Sequence, residues 1–143
     1  MQHHADDQHA RFALDIARAY PAAAKLSTWK RAIELQRGRH ITVTDRYELS
    51  AAAPTIEWSL MTPSDVEVTP GALRMKSREI LNGRMSATGV VTFEPADLRL
   101  VVEVCPIEDQ RMRIHWGERM HRVRLIAQDP PRSGTMTITI TSA

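Results

Sequence analysis

Residues Trp29 to Leu49 read WKRAIELQRGRHITVTDRYEL, and apolar and polar residues alternate on both sides of Gly38. A period of two marks a strand whose two faces meet different surroundings, so this stretch is a β-hairpin. The apolar residues of both arms must share one face, which requires an odd loop centred on Gly38. Trp29 then lies opposite Tyr47, Ile33 opposite Val43, and Leu35 opposite Ile41. The same register places Arg31 opposite Asp45, two charges on the apolar face. Such a pair contributes about 0.2 to 1 kcal/mol when partly exposed, whereas removing one partner of a buried pair costs about 3 to 5 kcal/mol. Buried charges are paired because an unpaired one is so costly. Arg31 and Asp45 are therefore read as a structural ion pair that specifies register, in preference to an active-site pair.

The rest of the chain has the same period. RFALDIARAY, Arg11 to Tyr20, alternates through Phe12, Leu14 and Ile16 and is read as a strand ending at Tyr20-Pro21, although its alanines also favour helix. TIEWSLMTP, Val66 to Val68, ALRMKS, GVVTFEP, LRLVVEVCP, MHRVRLIAQ and TMTITIT continue the series. Pro70-Gly71, Asn82-Gly83, Pro95, Pro106 and Pro130-Pro131 punctuate it. LVVEVC loses clean alternation at Val101, which predicts a strand covered on both sides. About ten short strands with little helix predict an all-β, antiparallel two-sheet β-sandwich. A flexible segment is expected over residues 1–10 and a single β-sandwich domain over 11–143.

Composition narrows the function. The 143 residues are 43% hydrophobic and 25% charged, ordinary for one globular domain. Nineteen basic residues are nearly matched by 17 acidic ones with the signs interspersed, giving +2 overall, which argues against a nucleic-acid partner. No apolar run approaches the roughly 20 residues that span a bilayer, so no membrane partner is expected. The single cysteine, Cys105, offers neither an internal disulfide nor a second thiolate for zinc.

Few residues suggest chemistry. His3, His4 and His9 stand beside Asp6 and Asp7, but a loose terminus gives unshaped ligation, so no metal and no cofactor are expected. RIHWGERMHRVRL combines charge with one exposed-type aromatic, and Arg113, His115, Trp116, Arg119, His121 and Arg122 are candidates for gripping a polyanion. The competing reading is a loop and a solvated strand face. No Ser-His-Asp order, phosphate loop or Cys-His signature is present. MTPSD, Met61 to Asp65, reads as a Pro-led turn.

DIARAYP, the W-x-R-x-I arm with D-x-Y-x-L, LMTP, and the late WG followed by RVRL resemble the C-terminal β-domain of heparinase II/III-like polysaccharide lyases. The resemblance runs over nearly the whole chain, and none of these motifs is a catalytic signature. It implies a role next to an α-helical toroid in enzymes that cleave acidic polysaccharides by β-elimination, with family members often periplasmic or secreted. It carries over no catalytic residue, because the family's Tyr and His residues belong to segments before this one. The expected function is a non-catalytic C-terminal domain that supports the preceding domain and can lend side chains to the rim of a polyanion cleft. The expected partners are preceding domains of a lyase chain, a homo-oligomeric copy of itself, or an acidic polysaccharide. The alternative is a free-standing module that binds acidic glycans or a protein.

Overall fold

The computed structural model describes residues 2–142. Its strands are β1 (Gln2–Ala5), β2 (His9–Asp15), β3 (Leu26–Gln36), β4 (His40–Leu49), β5 (Thr55–Thr62), β6 (Asp65–Thr69), β7 (Ala72–Lys76), β8 (Glu79–Leu81), β9 (Arg84–Met85), β10 (Gly89–Glu94), β11 (Arg99–Pro106), β12 (Arg119–Gln128) and β13 (Ser133–Thr141). Among the described residues there is one α-helix, α1, over Gln110–Trp116. An eight-stranded sheet in the order β1-β2-β3-β4-β13-β10-β7-β6 packs against a three-stranded sheet, β11-β12-β5, and β8 and β9 form a separate small hairpin. Every pairing is antiparallel, so the fold is an all-β sandwich.

The β3-β4 hairpin has the register that its alternation requires. Trp29 pairs with Tyr47, Arg31 with Asp45, Ile33 with Val43 and Leu35 with Ile41. Gly38 sits in the connecting loop at φ +72, a conformation that costs glycine nothing. Trp29 and Tyr47 join Trp58, Leu73, Val91, Phe93, Val123, Leu125, Met136 and Ile138 in one core between the sheets.

Asp45 lies within that core at 1% exposure. Its carboxylate accepts hydrogen bonds from Arg31 Nε at 2.7 Å and Arg31 Nη2 at 2.6 Å, and from Trp58 Nε1 at 2.9 Å. The first two lie within one sheet, while the third crosses from β5. Asp45 thus sets strand register and sheet-to-sheet position together. Arg31 keeps 33% of its side chain exposed, so only the acidic end of the pair is fully withdrawn from water. The bond to Asp45 holds the guanidinium in its charged form, and partial burial opposes it less strongly.

Three expectations are corrected. The strand read to Tyr20 stops at Asp15, and a 3-10 turn follows at Ala17–Ala19. The Asp15 carboxylate accepts the backbone N–H groups of Ala17 and Trp29, which turns the chain out of the sheet. The segment 1–10 contains β1, which pairs with β2 around a turn where Asp6 accepts from the N–H groups of Gln8 and His9. Strand β11 lies at the margin of its sheet instead of being covered on both sides: Val101 is half-buried and Val104 is exposed.

Arg31→Ala should cost about 3 to 5 kcal/mol, because it strands a carboxylate in the core with one indole N–H as partner. Asp45→Asn should cost less, since Arg31 can be rehydrated through its exposed edge. Replacing both Arg31 and Asp45 by alanine should recover part of the sum of the single-alanine losses. Urea unfolding of these proteins measures it; single variants within about 0.5 kcal/mol of the parent, the range of an ordinary surface change, would remove the pair from its structural role.

Candidate functional site

The late arginine-rich segment begins with a helix that the sequence reading treated as loop. Asp109 caps it by accepting the Arg111 N–H at 2.8 Å, and Gly117 ends it at φ +79. These two residues were the available signal. A Cβ at Gly117 would meet Ile80 at 3.2 Å, so glycine also lets the end of α1 lie close to β8. Arg113, His115 and Trp116 all lie exposed on α1, and Arg113 Nε donates to the Ile107 carbonyl. Met112 and Ile114 on the helix and Leu81 and Met85 on the β8-β9 hairpin are exposed apolar residues.

The other candidates lie on β12 and already have partners. Arg119 Nη2 is 3.0 Å from Asp65 Oδ1. His121 is buried, with Nδ1 2.9 Å from the Ser64 carbonyl. A carbonyl only accepts, so Nδ1 carries the proton in this contact. Ser64, at 0% exposure, donates through its hydroxyl to the Ala87 carbonyl. Arg78 reaches the Pro63 and Arg119 carbonyls from the β7-β8 connection. MTPSD is thus a packed turn, and Arg119 and His121 belong to the joint that holds it.

Arg122 lies on the outward face of the three-stranded sheet in a network that the sequence reading missed. Glu57 Oε1 is 3.1 Å from Arg122 Nη2, and Glu57 Oε2 is 2.6 Å from Arg124 Nη2. Glu103 completes the set, 2.8 Å from Arg124 and 3.9 Å from Arg122. The i, i+2 spacing of Arg122 and Arg124 signalled a shared face, but only strand order brings Glu57 and Glu103 to either side of them. Bonding to Arg124 is the main cause that lowers the Glu57 pKa to about 2. Of the six candidates, then, three are exposed on one helix, two hold a turn and one is neutralised by acids.

The tyrosines are packing residues in their arrangement. Tyr20 stacks on Trp29 with centroids 5.8 Å apart and planes at 20°. Tyr47 lies 5.9 Å from Trp29 and 6.3 Å from Trp58, and burial raises its pKa, which keeps the phenol protonated. At the N-terminal hairpin, His4 Nε2 is 3.4 Å from Asp6 Oδ2, with both side chains exposed. Among the described residues, no three His, Cys, Asp or Glu side chains converge in a metal-binding arrangement, and no helix is long and apolar enough to cross a membrane.

No family model matches the sequence, and no curated protein matches it. Among solved structures, the chain is similar to heparan sulfate lyase HepC from Pedobacter heparinus, with a TM-score of 0.67 and 11% identity. The similarity covers 98% of this chain and 21% of HepC, so the chain spans about a fifth of that protein's length. At this identity the likeness is one of fold.

The Glu57 network has a signed pH dependence. Its folded pKa of about 2 lies below the ordinary 4.5, so its contribution to stability is present above 4.5 and is lost as pH falls through 2. Glu57→Gln should remove that slope from urea midpoints measured across this window, and raised salt should shrink the difference because the network is partly solvated. An unchanged slope in the variant would show that the network is not coupled to folding.

Proposed function

We propose that this chain is a non-catalytic β-sandwich domain of a heparinase II/III-like polysaccharide lyase, supporting the domain next to it. The observation that carries this reading is the fold-level match to HepC, which takes in nearly all of this chain and only a fifth of that lyase. A second observation fits a supporting role. Phe12 pairs with Ile33 on the core side of the large sheet, and Leu35 with Ile41, yet Phe12, Ile33 and Ile41 are 38%, 39% and 37% exposed. The core side of the sheet therefore extends beyond the three strands that cover it. A contiguous apolar surface of this kind is suited to burial against a neighbouring domain.

Chemistry fits the same assignment. Elimination beside a uronate needs a base at the C5 proton, a group that neutralises the carboxylate and an acid for the leaving oxygen, all in one cleft. Here Tyr47 is packed and protonated, His121 is buried against a carbonyl, and Arg119 and Arg122 are paired with acids. A second reading, a module that binds acidic glycans, draws support from Arg113, His115 and Trp116 on the surface of α1.

Incubated with heparan sulfate, the purified chain should form no unsaturated, ultraviolet-absorbing product; reproducible turnover would overturn the supporting role. The same protein should self-associate in sedimentation experiments through the uncovered face, and Ile33→Asp should shift it toward monomer without unfolding it. A strict monomer that binds heparan sulfate, and loses that binding in Arg113→Ala/Trp116→Ala, would establish the second reading instead.

A further inference from the structure

One end of the sandwich holds a cavity of about 360 Å³ that lies apart from α1 and from the uncovered apolar face. Pro95, Leu98, Ile126, Ala127, Pro130 and Pro131 supply apolar wall, while Tyr47, Asp97, Arg99, Gln128 and Thr135 supply polar groups. The volume falls within the range of small-molecule sites, and apolar walls with a few converging polar groups are their usual form.

Tyr47 distinguishes this cavity from an accidental gap. Its ring crosses the neighbouring strand at Gly134, where a Cβ would stand 2.6 Å from the hydroxyl oxygen. Only glycine leaves room for the ring at that position. The residue is 5% exposed overall, but its hydroxyl oxygen is not among the fully buried polar atoms and makes none of the side-chain hydrogen bonds found among the described residues, so it opens onto the cavity and is free to bond a ligand. Asp97 and Arg99 also stand outside every ion pair among the described residues, so both stay free to bond a ligand.

We propose that this cavity binds a single sugar ring. Each sugar hydroxyl both donates and accepts, and the lining offers the same mixture: an acid, a guanidinium, a carboxamide and two hydroxyls. The proline and aliphatic walls suit the C–H faces of a pyranose. An apolar amino acid would place charge only between Asp97 and Arg99 and leave the Tyr47 hydroxyl without a partner. The Tyr47 hydroxyl and Gln128 hold ring hydroxyls, Arg99 donates and Asp97 accepts. This site does not depend on the lyase reading and would operate in a docked domain or a free one.

Amide chemical shifts of the intact chain, titrated with D-glucose, D-galactose, N-acetyl-D-glucosamine, D-glucuronate and L-leucine, test it. At least one sugar should move residues 95–99, 126–131 and 134–135 in a saturable manner. Tyr47→Phe, which keeps the ring and the fold, should weaken that sugar about tenfold, the worth of one neutral hydrogen bond in a buried site. Asp97→Ala, at an exposed position, should weaken it as well while leaving the unfolding midpoint unchanged. Absence of saturable shifts with all four sugars, shifts confined to other surfaces, equal affinity in both variants, or leucine binding in place of sugar would each overturn the proposal.

Discussion

A single buried carboxylate holds the two layers of this molecule in place. Asp45 accepts two hydrogen bonds from Arg31 on the adjacent strand and one from Trp58 on the opposing sheet. A one-residue slip of β3 against β4 would carry the guanidinium to the other face and leave the acid unpaired. Sliding the sheets would strip the indole N–H of its acceptor. A hydrophobic core tolerates small shifts because its attraction has no direction, whereas a desolvated charge with three fixed donors does not. The aromatic cluster of Tyr20, Trp29, Tyr47 and Trp58 is arranged around this point.

The remaining features follow from the mismatch between eight strands and three. The small sheet closes the core around Leu125, Val123 and Trp58 but leaves the β2-β3-β4 region of the large sheet with Phe12, Ile33 and Ile41 at the surface. Its own outward face is closed by charge instead, with Glu57 and Glu103 flanking Arg122 and Arg124. The two surfaces differ in what they invite. A network that already satisfies its charges gains little from a partner, while exposed apolar area gains from burial.

Candidate residues that were close in sequence became separate in role. Arg113, His115 and Trp116 are all exposed on the short helix α1, whereas His121 and Arg122, adjacent in the chain, point to opposite faces of β12. His121 is drawn into the core side to meet Ser64, and Arg122 is sent out to Glu57. A strand divides a basic run in two, so its composition overstated how much positive charge one surface would carry.

The sequence by itself determined the all-β class, the β3-β4 register and the Arg31–Asp45 pairing, because period-two alternation and a Gly-centred loop are local properties with one consistent solution. It also contains helix-end residues at Asp109 and Gly117, set in a pattern otherwise dominated by strands. Tertiary structure decided what depends on distant segments meeting. It placed β13 between β4 and β10, brought Trp58 to Asp45, set Glu57 beside Arg124, and laid Tyr47 across Gly134. Alternation states which face a side chain occupies; it does not state which strand lies alongside or which sheet lies opposite, and those choices created the core acid's third partner and the cavity at the sandwich end.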